Sequence, residues 1–119
     1  MTHFENGDVV LVPFPFSNLL TTKKRPAVVI SSLQYNMLTS DIVIIAITSQ
    51  QQNVLGIGEC SINDSQSAGL LKQSTIKPAI ATIEQNLVLK KLGKLTNNDL
   101  ISLKTSLLSL LNIEKSVFY

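Results

Sequence analysis

The sequence predicts a small, mainly β fold, an antiparallel barrel or sandwich followed by one C-terminal α-helix. Three observations carry that expectation. Short β-branched apolar runs recur between turn residues from Val9 onward; no helix-length apolar period separates one run from the next, which excludes βαβ units; and the one strong helical pattern comes last. With 119 residues, 45% hydrophobic and 15% charged, the chain fits a single domain over residues 1–119 and carries enough apolar mass for a real core.

Gly7-Asp8 is a turn signal, and Val9-Val10-Leu11-Val12 after it reads as the first strand. Pro13 and Pro15 lack backbone donors, so pairing is expected to stop there or move to a sheet edge, with Phe14 and Phe16 as core anchors. Residues 17–24 have no apolar period and read as a loop exposing Leu19 and Leu20. Residues 25–32 form the second expected strand, and 33–39 a linker of at most one helical turn. Residues 41–47 are the strongest strand; their apolar side chains do not alternate, so both faces should be covered. That strand ends in Thr48-Ser49 and the polar run Gln50-Gln51-Gln52-Asn53. Gly56 and Gly58 open a weaker strand through Ile62, and 63–67 is a turn. Residues 70–72 and 76–83 are further strand candidates, with Pro78 marking an edge or a bulge. Residues 87–95 read as one more strand, closed at Gly93. The helix then starts at Thr96, a good N-cap, with Asp99 near the positive helix end; Leu100, Leu103, Leu107 and Leu111 fall on one stripe.

Composition excludes several classes. The longest apolar runs fall far short of the ~20 residues of a membrane span, and no charged segment followed by an apolar one suggests a signal peptide. A single cysteine, Cys60, makes no internal disulfide, so a reducing, cytoplasmic location is expected. His3 is the only histidine, which leaves no Ser/His or Cys/His pair, and no clustered ligands in sequence suggest a metal. Gly56-x-Gly58 lacks the third glycine and the following helix of a dinucleotide site and reads as a bend.

What remains is cationic. Lys23-Lys24-Arg25 runs into the second strand, and Arg25 is the only arginine. A guanidinium on a rigid strand end presents a planar fork of donors suited to a phosphate. Lys72, Lys77, Lys90, Lys91 and Lys94 against Glu84 make residues 72–94 locally basic. Such a segment is most often a solvated face, and it joins a phosphate footprint only if folding brings it beside Lys23, Lys24 and Arg25. An arginine, lysines and hydroxyls at a strand end suit a reaction whose transition state gathers negative charge. Cleavage of RNA by its own 2′-hydroxyl is one, because the substrate brings the nucleophile and the protein supplies proton transfer, positioning and charge stabilisation.

Three blocks in order then resemble a known family. Gly7-Asp8-Val9-Val10-Leu11-Val12-Pro13-Phe14, Lys24-Arg25-Pro26-Ala27-Val28-Val29-Ile30-Ser31 and Ala46-Ile47-Thr48-Ser49-Gln50 look like the MazF/PemK toxins. Gly69-Leu70-Leu71-Lys72, Ile76-Lys77 and Lys94-Leu95-Thr96 extend the likeness to nearly the whole chain. The resemblance implies an SH3-like β-barrel, usually a homodimer. It implies a metal-independent, cofactor-free, sequence-selective endoribonuclease acting on single-stranded RNA, held in check by an acidic antitoxin, with DNA contacted only through that complex. It places the catalytic roles on Arg25 and Thr48; Lys23, Lys24, Ser49, Gln50 and Lys77 are the expected RNA-binding residues. Two features depart from the family pattern: 19–24 stands where many members have a glycine-containing loop, and Gln73 where proline is common. A non-catalytic module on the same barrel is the alternative from another class. It would be a degenerate toxin, a topoisomerase inhibitor of the CcdB kind, or an RNA-binding domain that holds RNA without cutting it.

Overall fold

The computed structural model describes residues 3–14, 23–50 and 54–114. Its elements are β1 (Asp8–Phe14), β2 (Lys23–Val29), α1 (Leu33–Leu38), β3 (Asp41–Thr48), β4 (Cys60–Ile62), β5 (Ser74–Glu84), a 3-10 turn (Gln85–Leu87), β6 (Lys90–Lys94) and α2 (Asn97–Leu111). The six strands make one antiparallel sheet in the order β4-β5-β3-β2-β1-β6. With β4 and β6 as its edges, the expected barrel takes the form of a curled half-barrel with the helix at one end of the chain.

Curling gives the sheet a core on each face. One contains Val9, Val28, Ile45, Ile47, Ile62 and Leu103, and the other Val10, Val12, Ala27, Val29, Ile42 and Ile44. β3 feeds both, so its unbroken apolar run is buried on both faces, as its sequence predicts. Leu103 is the fully buried point of the α2 stripe, with Leu100 and Leu107 packed beside it; Leu111 lies outside the stripe, half exposed. Thr96 caps α2, its hydroxyl accepting from the Asp99 amide at 3.3 Å, a contact worth about 1 kcal/mol. Asp99 has a second task. Buried to 2%, its carboxylate accepts from the Asn63 and Asp64 amides at 2.9 Å each, fixing the chain just after β4.

Several expectations are corrected by the sheet. Of the two outcomes expected at Pro13, pairing does not stop, since β1 pairs with β2 through Phe14, and the sheet edge is the one found. Gly7 and Leu11 give their carbonyls to Leu95 and Leu89, so alternate residues of β1 face β6, and Pro13 faces the side that β6 leaves at Leu11. Residues 70–72 are not a strand but a bend. Gly93 does not close a strand; it lies inside β6 at a bulge opposite Val9, and 87–89 belong to the 3-10 turn and its exit. Residues 33–38 form a full six-residue helix, capped by Ser32. Pro78, in contrast, sits at a bulge as its sequence predicts, between Ile76 opposite Ile47 and Ile80 opposite Ile45. Leu19, Leu20 and Phe16 lie outside the described residues, as does the side chain of Phe14.

Cys60 is a core residue of β4. Burial, with the nearby Asp99 charge adding to it, pushes its thiol up to about 11 from an ordinary 9.0. A raised folded value makes the thiol's contribution to stability fully present below the unfolded value and lost as pH rises toward the folded one. Stability should therefore decline between about pH 9 and pH 11 in denaturant titrations, and a Cys60→Ala variant should lack that decline. A decline of equal size in the variant would assign it to other groups.

Candidate active site

The site begins with a missing donor. Ile30 donates to the Val43 carbonyl at 2.9 Å, so even-numbered residues of β2 turn their backbone groups toward β3. Pro26 is the next member of that series after Val28, and it has no N–H to give. The β2–β3 pairing accordingly ends at Ala27 opposite Ala46. Carried two residues further, the same register sets Arg25 level with Thr48, on the face that Ala27 and Ala46 occupy. Between these strand ends opens a cleft of about 420 Å³.

Lys23, Lys24 and Arg25 line one side of it, all exposed. Thr48 and Ser49 line the end of β3, and Ser74 the start of β5. The Gln50 amide donates to Thr48 Oγ1 at 3.2 Å, which occupies an acceptor position and leaves the hydroxyl proton free to be donated. The third side comes from far along the chain. The bend at 69–72 brings Leu70, Leu71 and Lys72 to the cleft. Leu11, Ile47 and Leu92 supply its apolar floor from the sheet face opposite to that of Ala27 and Ala46, so Arg25 and Thr48 border it at the strand ends. No carboxylate lines it among the described residues.

Of the residues expected from sequence, Arg25, Thr48, Lys23, Lys24 and Ser49 meet in this cleft. Gln50 touches it only through its amide on Thr48, and Lys77, half-buried in β5, is not among the lining residues. In the sequence Lys72 belongs only to a generally basic segment. Nothing local marks it, since folding alone carries it to Arg25. Two other lysines of that segment are engaged elsewhere. Lys91 lies 3.3 Å from the fully buried Asp8 carboxylate, and Lys94 pairs with Glu5 at 2.9 Å. The Lys94 contact holds the Glu5 carboxyl below its usual range. Gln51 lies outside the described residues. Among the described residues no three His, Cys, Asp or Glu side chains gather to hold a metal, and no helix is long and apolar enough to cross a membrane.

A family model described as PemK-like, MazF-like toxin of type II toxin–antitoxin system matches residues 5–111. The chain belongs to the PemK/MazF toxin family. No curated protein matches it in sequence. Solved structures of the MazF kind share its fold. MazF of Deinococcus radiodurans (Form-I) superposes with a TM-score of 0.74 at 20% identity, covering 95% of this chain and 100% of that one. The same organism's MazE-MazF structure (Form-III) gives 0.76 at 18%, covering 95% and 100%. An endoribonuclease in complex with its cognate antitoxin, from a mycobacterial species, gives 0.74 at 17%, covering 95% and 99%. At such identities the likeness is one of architecture, and the six-stranded sheet with its terminal helix is a MazF-like fold.

Proposed function

We propose that this PemK/MazF chain is a metal-independent endoribonuclease that cuts single-stranded RNA and so restrains translation and growth. The observation that supports this most is the convergence of Lys23, Lys24, Arg25 and Lys72 with Thr48 and Ser49 on one cleft that no carboxylate lines among the described residues. In the proposed reaction the RNA 2′-oxygen attacks the adjacent phosphorus and the bond to the 5′-oxygen breaks. A proton leaves the 2′-hydroxyl and one reaches the departing 5′-oxygen. The products are a 2′,3′-cyclic phosphate upstream and a 5′-hydroxyl downstream. Arg25 clamps the phosphate oxygens with its fork and serves the acid side of proton transfer, since a guanidinium is a poor base. Thr48 donates its free proton to an oxygen on which charge builds.

The test is incubation of the purified protein with naked RNA in a chelator, followed by end-group analysis. Cleavage with cyclic-phosphate and 5′-hydroxyl ends is expected. RNA binding without cleavage would favour the non-catalytic module, and cleavage only after a divalent metal is added would overturn the mechanism.

The same basic cleft suits the acidic segment of a cognate antitoxin, a partner that solved mycobacterial and Deinococcus relatives have in their complexes. Antitoxin and RNA should therefore compete; cleavage untouched by saturating antitoxin would separate the two sites. Exposed apolar side chains such as Met37 and Leu38 of α1 suit a two-fold homodimer. A monomer in sedimentation at micromolar concentration would remove that assignment.

A further inference from the structure

The cleft holds more than a phosphate needs. Its cations and hydroxyls follow the ends of β2 and β3, whereas the 69–72 bend brings Leu70 and Leu71 to it beside Lys72. Leu71, at the tip of the 69–72 bend, is fully exposed and yet borders the cleft. A lone exposed leucine is ordinary. This one is continuous with Leu70 and Leu92, which reach the cleft while packing on the core. It also stands on a segment held from four directions. Asp99 grips the Asn63 and Asp64 amides; Asp64 in turn accepts from Ser67 through amide and hydroxyl at 2.9 and 2.7 Å. Gln73 Nε2 donates to the Ile62 carbonyl at 2.9 Å, and Gly69 lies so close to β6 that a Cβ there would meet the Leu92 carbonyl. A bend fixed this firmly presents Leu71 and Lys72 in one place, with the outermost leucine adding nothing to the core.

We propose that the 69–72 bend is a nucleobase subsite. The base beside the cut phosphodiester lies flat on Leu71, and the phosphate flanking that base meets Lys72. This rests on the RNA-cutting reading and names where the substrate lies around the cut bond. Every nucleobase has an apolar face, so an aliphatic wall gains affinity from whichever base it covers, while the lysine adds a salt-sensitive phosphate contact. The subsite thus sets register along the strand and leaves base choice to polar groups elsewhere. A cleft of about 420 Å³ is of small-ligand size and admits an unpaired nucleotide, not a duplex.

The probe is a short RNA spanning a mapped cleavage position, made uncleavable by a 2′-deoxy nucleotide at the cut, with abasic counterparts on either side of it. Leu71→Ala should weaken binding of the intact probe about fivefold, and Leu71→Met should restore it. One abasic probe should bind the unaltered protein about fivefold more weakly and bind Leu71→Ala no more weakly still. In cleavage, Leu71→Ala should raise KM with kcat kept, and Lys72→Ala should flatten the salt dependence of binding. Equal binding of the intact probe by Leu71→Ala and the unaltered protein would overturn the subsite, as would an abasic penalty undiminished in the variant. An unaltered protein that cuts no RNA would overturn the reading beneath it. One that cuts RNA without any dependence on Leu71 overturns the subsite alone.

Discussion

Arg25→Ala should slow single-turnover cleavage of a short RNA by on the order of 100- to 1,000-fold, the usual cost of losing one preorganised donor from such a site. Arg25→Lys should fail nearly as badly. It keeps the charge but loses the planar fork, and a cleft between two strand ends cannot re-form around a point charge on a flexible stem. Thr48→Ala should fall in that range or somewhat below it, since the hydroxyl supplies one hydrogen bond and carries no charge. Both residues lie at strand ends, Arg25 exposed and Thr48 partly so, and neither substitution empties the core, so melting temperatures should hold while rates fall. Lys23→Ala is the contrast: weaker binding and a flatter salt dependence, with turnover at saturation little changed. Full activity in Arg25→Ala would end the assignment of the cleft as the catalytic centre.

The largest structural effect should come from Gly69→Ala. Gly69 has φ +77, a conformation that strains any residue with a side chain. The added Cβ would also stand 2.0 Å from the Leu92 carbonyl oxygen and 2.5 Å from its carbon. These are backbone atoms of β6, next to Gly93, whose own Cβ position is filled by Ala68 backbone at 2.5 Å. The clash cannot be relieved by turning a side chain. Either the bend lifts from β6 or β6 shifts on β1. A loss of about 3 kcal/mol or more is expected, or roughly 12 °C or more in melting temperature for a domain of this size. Gly56→Ala is the control, because its Cβ would meet only the flexible Glu59 side chain, at 3.2 Å. A Gly69→Ala protein melting within about 2 °C of the parent would show that the bend accommodates the group.

What the chain reveals before folding divides along a physical line. Features written in consecutive residues are legible. The unbroken apolar run of β3 announces a strand buried on both faces, and Thr96 with the leucine stripe announces α2. Lys23-Lys24-Arg25 and Thr48 are recognisable because charge and hydroxyls sit beside strand-forming residues. Features decided by what lies across the sheet are not legible. Leu70-Leu71-Lys72 has strand-like composition, but Gly69 turns left-handed and is pressed onto β6, so the segment bends. Gly93 looks like a stop and is instead the gap that lets Ala68 approach. The effect of Pro26 on pairing appears only once β3 is its neighbour. Lys72 carries no local mark at all, and its place in the same cleft as Arg25 follows from the bend.

Pro13 gives the sheet another property. Beyond Leu11, where β6 has left, Val12 and Phe14 turn their backbone groups inward to β2, and Pro13 alone faces outward. A strand margin of this kind is a template on which a foreign chain can add itself and begin aggregation. Among the described residues this margin offers the Pro13 carbonyl and no donor, so an incoming strand finds half a ladder rung there. Pairing with another copy, sheet edge to sheet edge, is thereby disfavoured beside Lys23, Lys24 and Arg25, with no acidic side chain in β1 beyond Leu11 or in β2 to repel it among the described residues.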